Sequence, residues 1–220
     1  MKPLVIFGTG DIAEVAHFYF TRDAGARVAA FAVDAAYKKA EQFCAAPVVA
    51  FEELAAAFPP DGHDLFVALS YARINALRAE KCSAAKALGY RLRTYVSSKA
   101  TVWAGFEPGE NCFILEDNTI QPFVRIASNV TLWSGNHVGH HAQLAANCFI
   151  TSHVVISGGV QVGENVFIGV NATIRDHVKL GARSVIGAGA LVLQDVPEDG
   201  VVAAAGTELS KVPSHRLRKL

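Results

Sequence analysis

Three features of the sequence predict a fold of two parts, a small Rossmann-like α/β module followed by a left-handed parallel β-helix. An aliphatic residue stands at every sixth position from Val96 to Val192, interrupted only by Pro108. Small or short side chains follow most of these positions four residues later, and a Gly-x-Gly turn follows the first apolar run. Repeats of six residues are typical of a three-sided coil in which each inner face takes one large aliphatic side chain.

Short apolar runs that alternate with helical segments predict the α/β module. Residues 4–7 form a strand pattern that leads through a glycine turn into a helix over residues 11–22, and a second strand over 27–33 follows. A third strand over residues 65–69 precedes a helix that extends through Gly89. This alternation predicts a small parallel sheet.

The limits of the two parts follow from the start and the end of the repeat. Residues 90–96 are predicted to form the last strand of the first part. We therefore expect the α/β module over residues 1–96 and the β-helix over residues 97–220. Residues 201–212 are predicted to cap the open end of the coil, which would otherwise expose unpaired backbone groups.

The glycine turn at Gly8-Thr9-Gly10 predicts a phosphate-binding site, because it lets backbone amides at a helix N-terminus approach an anion. Ala13 replaces the third glycine of a dinucleotide fingerprint, and the module is too small for a full NAD domain. Nucleotide binding is therefore the expectation, and a plain structural turn is the alternative.

Four polar residues at the carboxyl ends of predicted strands are further candidates for this site. Asp34 follows the second strand and is placed to meet a ribose or a base edge. Ser70, Tyr71 and Arg73 follow the third strand, with Tyr71 a candidate to stack on a base and Arg73 to pair with a phosphate. The alternatives are strand termination at Asp34 and a helix cap at Ser70 beside a solvated Arg73.

Residues eighteen positions apart stack in columns along the coil, so the sequence also predicts its outer surface. One outward column is largely apolar and another is polar throughout. The apolar column consists of Phe113, Thr131, Phe149, Phe167 and Val185, and the polar column of Arg125, Gln143, Gln161 and Lys179. Because a large exposed apolar face marks an interface, we expect subunits to pack through it as a homotrimer.

Charge and composition argue against several classes of partner. Twenty basic residues balance twenty acidic ones, which gives no electrostatic reason to expect nucleic acid or an anionic membrane. No apolar run is long enough for a signal peptide or a membrane span, so a cytoplasmic location is expected. The four cysteines lack a CxxC spacing and are expected to be reduced thiols, and no metal site is expected.

His140 is the residue of the coil that best suits catalysis. The register places it at a corner, one coil from Gly158, where the backbone is bare. An imidazole titrates near neutrality and removes a proton from an attacking amine or hydroxyl, while a backbone amide stabilises the oxyanion of an acyl-transfer intermediate. The alternative is a surface histidine in a turn, and the neighbours His137 and His141 are expected to orient His140 or to be structural.

This arrangement resembles the bacterial sugar acyltransferases that include the bacillosamine and perosamine N-acetyltransferases and the sialic acid O-acetyltransferases. The resemblance spans nearly the whole chain and is most specific in residues 132–142 and 168–174. It implies that His140 is the general base and Gly158 the oxyanion-hole glycine, with His141 standing where the family often has an acid. Asn136, in the first of these motifs, is a candidate contact for the acceptor.

The same resemblance implies acetyl-CoA as the acyl donor, lying between two β-helices. A second family histidine that meets the acyl group aligns with Phe149, and His153 is the nearby candidate to replace it. The other residues expected to contact acetyl-CoA lie in turns of the coil: Gly159, Gly169, Gly187 and Ala188.

The implied function is acetylation of the 4-amino group of a nucleotide-linked dideoxy sugar by direct transfer, in polysaccharide or O-antigen biosynthesis. Two alternatives stay open at this point. One is O-acetylation of a sugar such as sialic acid, with His140 deprotonating a hydroxyl. The other is a non-catalytic trimer that only binds a nucleotide sugar.

Overall fold

Residues 2–216 are described by a computed structural model, and their first part is an α/β domain. Its elements are β1 (Leu4–Phe7), α1 (Asp11–Arg22), β2 (Val28–Val33), β3 (Gln42–Phe43), β4 (Ala46–Ala50), α2 (Leu54–Ala57), β5 (Asp64–Val67) and α3 (Ala76–Ala87). The strand order is β3-β4-β2-β1-β5, and all strands are parallel except the edge strand β3. Every side chain of β1 and β5 is buried, because apolar clusters cover both faces of the sheet. Three short 3-10 helices cover Ala35–Tyr37, Phe51–Glu53 and Ser214–Arg216.

The second part is a three-sided coil of two-residue strands, with one parallel sheet along each side. In each strand the first residue points outward and the second into the core, so an aliphatic residue recurs at every sixth position. The first sheet contains Tyr95–Val96, Phe113–Ile114, Thr131–Leu132, Phe149–Ile150, Phe167–Ile168, Val185–Ile186 and Val201–Val202. The second contains Thr119–Ile120, His137–Val138, Val155–Ile156, Thr173–Ile174 and Leu191–Val192, and the third Arg125–Ile126, Gln143–Leu144, Gln161–Val162 and Lys179–Leu180. The predicted fold class, an α/β module followed by a left-handed parallel β-helix, is confirmed.

We call the outer surfaces of these three sheets the apolar face, the middle face and the polar face. The apolar face and the polar face carry the two columns predicted from the sequence. The middle face carries the outward residues of the second sheet: Thr119, His137, Val155, Thr173 and Leu191.

Inward aliphatic side chains form one continuous core along the coil. Every sixth residue from Ile114 to Val192 is at most 5% exposed. The pattern is wrong at Val102, which is 38% exposed because it lies in the open first coil. Pro108 has no N–H for the strand ladder, and Phe106 packs against the core from the turn that takes the place of the missing strand.

The apolar face is covered by the α/β domain of the same chain, which corrects the predicted subunit interface. Phe113 is 2% exposed and meets Tyr19 edge-on, with ring centroids 6.0 Å apart. Tyr71 lies against Phe149 and Phe167 at centroid distances of 5.2 and 4.8 Å. Because the chain supplies its own apolar partner, this face is not available to a neighbouring subunit.

A buried arginine of α3 fastens the α/β domain to the coil. Arg78 is 1% exposed and donates from Nε to Asn129 Oδ1 at 2.9 Å. Its Nη atoms donate to the carbonyl oxygens of Ser70, Asn129, Asn147 and Cys148 at 3.2, 3.1, 3.1 and 3.0 Å. None of the salt bridges found within residues 2–216 includes Arg78. Burial lowers the pKa of Arg78 to about 10, which leaves it charged at neutral pH.

Asparagines stacked eighteen residues apart complete this contact. Asn111 Oδ1 accepts from the Val67 amide at 2.8 Å, and Asn111 Nδ2 donates to Asn129 Oδ1 at 2.9 Å. Asn129 Nδ2 donates in turn to Asn147 Oδ1 at 2.8 Å. All three asparagines have φ between 55° and 66°, a conformation that asparagine adopts more readily than most residues. The ladder therefore forms the coil corner and binds β5 at once.

The chain passes from the α/β sheet to the coil inside the predicted last strand. Leu92 bridges to Leu65 of β5, whereas Tyr95–Val96 pairs with Phe113–Ile114 of the coil. The expected strand over residues 90–96 is therefore wrong, because its two ends belong to different sheets. The domain limits at residues 1–96 and 97–220 stay a prediction.

The predicted C-terminal cap forms only at its start. Val201–Val202 pairs with Val185–Ile186 and adds a strand to the last coil. The expectation is wrong for residues 203–212, which are exposed throughout, with Leu209 at 95%. Small and polar residues dominate this segment, so it carries no aliphatic run that could pack on the coil end.

The four cysteines are free thiols. Cys112 and Cys148 point inward at coil corners and are completely buried. Burial raises the pKa of Cys112 to about 11 and that of Cys148 to about 12, so both are protonated at neutral pH. In the described part of the chain, every helix is too short or too polar to cross a membrane.

Candidate active site

Two residues from each of three successive coils form the corner between the middle face and the polar face. We call this the His140 corner, and it consists of His140, His141, Gly158, Gly159, Asp176 and His177. The His140 side chain lies directly over Gly158. A β-carbon built on Gly158 would be 2.9 Å from Nε2 of His140 and 2.8 Å from Cε1. Only glycine leaves room for the imidazole in this position.

Two hydrogen bonds to neighbouring side chains hold His140. Its backbone amide donates to Gln121 Oε1 at 2.8 Å. Its ring Nδ1 lies 3.1 Å from Nδ1 of His141. Two neutral imidazoles share such a bond only when one nitrogen carries the proton and the other accepts it. With the proton on His140 Nδ1, Nε2 keeps its lone pair and faces Gly158, which is the form that a general base requires.

His141 thus stands in the place of an orienting acid and meets the Nδ1 side of His140. It is exposed, and its ring lies 4.7 Å from that of Phe123. Together with Phe123, Arg125 and Gln143 it lines an open cavity of about 470 Å³ on the polar side of the corner. A ligand can therefore approach the corner from this side.

The Gly158 amide, predicted to stabilise an oxyanion, has an acceptor within the chain. It donates to Asp176 Oδ1 at 2.8 Å. Asp176 is exposed and stacks eighteen residues beyond Gly158. An oxyanion at this amide would have to displace the carboxylate or share the N–H with it. Gly159, the next residue, donates to the carbonyl oxygen of His140 at 2.8 Å and lies beneath the ring of His177.

Sequence reasoning missed Asp176 and His177 at this corner. The step of eighteen residues from His140 to Gly158 was sufficient to find them, since the same step from Gly158 and Gly159 leads to Asp176 and His177. His141 and His177 have φ near 60°, the left-handed conformation that the corner turn needs.

Most residues expected to contact acetyl-CoA lie at a different corner, between the apolar face and the middle face. His153, Gly169, Gly187 and Ala188 are there, and His153 packs over Gly135. The middle face separates His153 from His140, so the structure does not bring the two imidazoles together. The amide of Gly169 donates to the carbonyl oxygen of Ile186 at 2.8 Å, and that of Gly187 to the carbonyl oxygen of Val202 at 2.7 Å, both within the coil. These two amides are therefore engaged within the coil, and contact of this corner with a pantetheine arm, including at Ala188, stays a prediction.

Two further predicted contacts are engaged inside the chain. Phe149 is 2% exposed beneath Tyr71 and Arg78, so the α/β domain shields it from a donor. Asn136 is 1% exposed, and its Oδ1 accepts from the Val154 amide at 2.8 Å while its Nδ2 donates to the Trp133 carbonyl oxygen. Phe149 is at an outward position that the α/β domain covers, whereas Asn136 is at an inward corner position of the same register as Cys148, so both side chains are engaged within the fold.

The predicted nucleotide site forms a cavity of about 400 Å³ at the carboxyl ends of β1, β2 and β5. Gly8 and Thr9 line it, and Asp34 lines it as the partner of Lys81 in an ion pair. Gly8 has φ +123°, and a β-carbon there would lie 2.7 Å from the Ala68 carbonyl oxygen, so glycine is required. Gly10 is the N-cap of α1 and does not line the cavity, and a β-carbon there would meet no atom within 4 Å.

Residues missed by the sequence complete this cavity. Tyr37 and Leu77 line it, and Lys81 Nζ lies 5.3 and 5.4 Å from the ring centroids of Phe7 and Phe51. The position of Lys81 on α3 could be found only once the helix was placed over the sheet. A carboxylate and an ammonium group side by side provide an acceptor and a donor for a polar ligand.

The three candidates that follow β5 lie outside this cavity. Tyr71 packs against the coil, and Arg73 pairs with the exposed Glu80. Ser70 uses its carbonyl oxygen to accept from Arg78. The expectation that Tyr71 stacks on a base and that Arg73 binds a phosphate is wrong for this conformation, because the turn after β5 directs both side chains away from Asp34.

Comparison with known proteins supports the reading of the fold. Residues 159–194 match the model of the bacterial transferase hexapeptide family, described as six repeats. No protein with a curated description matched the sequence. One similar solved structure is a perosamine N-acetyltransferase from Caulobacter crescentus, a histidine-to-asparagine variant in complex with CoA and GDP-perosamine. It is 27% identical in sequence, and the structures superpose with a TM-score of 0.83 over 93% of this chain and 94% of that one.

Two more solved structures are similar over nearly the whole chain. PerB from Caulobacter crescentus, in complex with CoA and GDP-perosamine, is 28% identical with a TM-score of 0.82, covering 93% of this chain and 95% of that one. The acetyltransferase domain of PglB from Neisseria gonorrhoeae, in complex with acetyl coenzyme A, is 23% identical with a TM-score of 0.82, covering 92% and 96%. At this lower identity the likeness concerns the fold alone.

The resemblance inferred from the sequence is confirmed by these matches. The fold and the hexapeptide repeats define an acyltransferase of the left-handed β-helix class. The chain is similar to sugar acyltransferases of this type, the perosamine enzymes, along its α/β domain as well as its coil.

Proposed function

We propose that this chain is an acetyl-CoA-dependent N-acetyltransferase that acts on the 4-amino group of a nucleotide-linked dideoxy sugar. The observation that carries the proposal is the exposed His140 imidazole, whose Nε2 faces a bare glycine backbone. The likeness to perosamine N-acetyltransferases in complex with CoA and GDP-perosamine supports both the donor and the acceptor class.

Direct transfer from the thioester is the mechanism that fits these residues. His140 Nε2 accepts a proton from the attacking nitrogen and returns it to the sulfur of the leaving CoA. The three cysteines Cys82, Cys112 and Cys148 are buried with raised pKa values, which makes them unsuitable as nucleophiles for an acyl-enzyme. The Gly158 amide is the proposed donor to the oxyanion once the Asp176 carboxylate moves aside.

The cavity between β1, β2 and β5 is the proposed site of the nucleotide. The backbone at Gly8 and Thr9 approaches it closely, and α1 directs its N-terminus towards the same end of the sheet. Asp34 and Lys81 are proposed to bind the base or the ribose through hydrogen bonds.

We propose further that the working unit is a homotrimer with shared sites. The α/β domain covers the apolar face, which lies on the opposite side of the coil from the His140 corner. The cavity of one chain is therefore proposed to serve His140 of another chain. Val155, Leu191 and Leu193, on or beside the middle face, are 37, 62 and 49% exposed and provide apolar surface for this contact. The cytoplasmic location stays a prediction.

The proposal is tested with acetyl-CoA and a panel of UDP-, dTDP- and GDP-linked sugars. Each nucleotide would carry either a 4-amino-4,6-dideoxy sugar or its 4-hydroxyl counterpart, and release of the CoA thiol would be followed. We expect turnover of at least one amine acceptor well above that of its hydroxyl counterpart. Turnover of hydroxyl acceptors alone would move the enzyme to O-acetylation, and no turnover of any acceptor would contradict the function.

His141 provides a prediction about how His140 is oriented. His141→Phe should lower kcat by about 10-fold, because it leaves His140 Nδ1 without the partner that fixes its tautomer and orientation. His141→Glu should retain more of the activity, since a carboxylate also accepts from Nδ1. Steady-state kinetics of both variants check this, and equal loss in the two would show that His141 does not act through His140.

A further inference from the structure

Asp176 is a carboxylate beside the proposed base for which the mechanism above has no use. Its Oδ1 lies 3.3 Å from the β-carbon position of Gly158, and His140 Nε2 lies 2.9 Å from the same point. The carboxylate oxygen and the imidazole nitrogen therefore flank one small space above Gly158. None of the salt bridges found within residues 2–216 includes Asp176, and its one protein hydrogen bond found there comes from the Gly158 amide.

A negative charge at this place works against an oxyanion. Asp176 accepts from the same N–H that the oxyanion would use, and two negative charges at hydrogen-bond distances from one amide repel each other. An acceptor with a hydroxyl group brings no positive charge to offset this repulsion. A hydroxyl acceptor is therefore disfavoured at this corner as long as Asp176 is ionised.

An amine acceptor reverses the effect. Primary amines are largely protonated near neutral pH, so a 4-amino sugar arrives as an ammonium group. A cation that binds between the Asp176 carboxylate and the neutral His140 imidazole gains a charge-assisted hydrogen bond from each. It also draws Asp176 away from the Gly158 amide, which frees that N–H for the carbonyl oxygen of the donor.

We propose that Asp176 binds the ammonium group of the acceptor and so makes the His140 corner selective for amines over hydroxyls. This inference rests on the proposed N-acetyltransferase function and names the residue that determines its acceptor class. The carboxylate also stabilises the tetrahedral intermediate, in which the nitrogen is positive and the oxygen negative, since the nitrogen stays next to Asp176 and the oxygen next to Gly158.

The proton balance of the reaction is complete with these groups. The bound ammonium first loses one proton to solvent through His140. The nitrogen lone pair then attacks the thioester carbon, forming the C–N bond while the carbonyl electrons move to oxygen. His140 Nε2 takes the second proton from nitrogen, and collapse breaks the C–S bond. The leaving sulfur receives that proton, so the products are the amide, CoA thiol and one released proton.

The test compares Asp176→Asn with the wild type on a matched pair of acceptors, the 4-amino sugar nucleotide and its 4-hydroxyl counterpart. Asparagine keeps an oxygen for the Gly158 amide but removes the charge. We expect the KM for the amine to rise by about 10- to 100-fold, the range that loss of a charged hydrogen bond gives. The preference for amine over hydroxyl in kcat/KM should fall by a similar factor.

Asp195→Asn is the matched control. Asp195 also accepts from a backbone amide, that of Lys179 at 2.8 Å, but it stacks in the column of Gly159 and His177 instead of that of His140 and Gly158. Its KM for the amine should stay at the wild-type value. If Asp176→Asn turns over the amine with an unchanged KM and unchanged preference, the inference fails while the proposed function stands. If the wild type itself acetylates only hydroxyl acceptors, both fail.

Discussion

His140→Asn is expected to lower kcat for acetyl transfer by about 10²- to 10⁴-fold, the contribution typical of a positioned general base. The Nε2 atom of His140 is the only basic nitrogen placed over Gly158 in the described chain, and asparagine has no group that accepts a full proton near neutral pH. The KM for acetyl-CoA should change little, because the imidazole acts on the acceptor. Initial rates of CoA release at saturating concentrations of both substrates measure the effect.

His63→Asn is the control for this substitution. His63 lies in the α/β domain, where its Nδ1 contacts the carbonyl oxygen of Pro59 at 3.0 Å, away from both proposed sites. Its kcat should match that of the wild type. Should His140→Asn retain a kcat within a few-fold of the control, the assignment of the base to His140 would be wrong.

Arg78→Met is expected to lower the free energy of unfolding by about 3–5 kcal/mol, since several buried acceptors lose their donor at roughly 1–3 kcal/mol each. The guanidinium donates to four different carbonyl oxygens and to Asn129 Oδ1 from a position that is 1% exposed. Methionine fills part of the volume but provides no hydrogen-bond donor. For a chain of this length the loss corresponds to a decrease in Tm of roughly 6–20 °C.

Arg183→Met is the matched control on the coil surface. Arg183 pairs with two carboxylates, Glu198 and Asp199, but all three side chains are exposed. Because solvent screens such pairs, its Tm should stay close to that of the wild type. The Tm values of both variants, measured by calorimetry, show whether stability comes from the buried hydrogen bonds of Arg78 or from ion pairing at the surface. An unchanged or higher Tm for Arg78→Met would show that desolvation of the charge outweighs its hydrogen bonds.

The coil could be predicted from the sequence almost residue by residue. Its periodicity is local, and each inward position from Ile114 to Val192 needs only to be aliphatic for the strands to close. The same register predicts that Gly158 lies beside His140, because stacking at eighteen residues follows from the repeat alone. The same register places Asp176 one coil beyond Gly158, in the same column.

Contacts between the two parts of the chain could not be predicted in the same way. The apolar column with Phe113 and Phe149 predicts that some partner covers it, but the repeat contains no information about which one. The α/β domain of the same chain is that partner. The same docking explains why Phe149 is unavailable to a donor and why Tyr71 packs on the coil, since both were assigned on the assumption of an open surface.

The central claim is that His140 of one chain acts on an acceptor held by another chain. Mixed oligomers test this claim most directly. His140→Asn removes the base, and Thr9→Trp fills the nucleotide cavity that Thr9 lines. The two variants would be co-expressed with different affinity tags, purified through both tags and assayed for CoA release with the preferred acceptor. Each variant alone serves as the inactive control.

In a trimer that contains both variants, about one site in three combines an intact cavity with an intact imidazole, if each site takes one from each of two neighbouring chains. We therefore predict that the doubly tagged oligomer regains a substantial fraction of wild-type kcat per chain. A doubly tagged oligomer as inactive as either variant alone would contradict the account, because it would mean that the acceptor cavity and His140 must belong to the same chain.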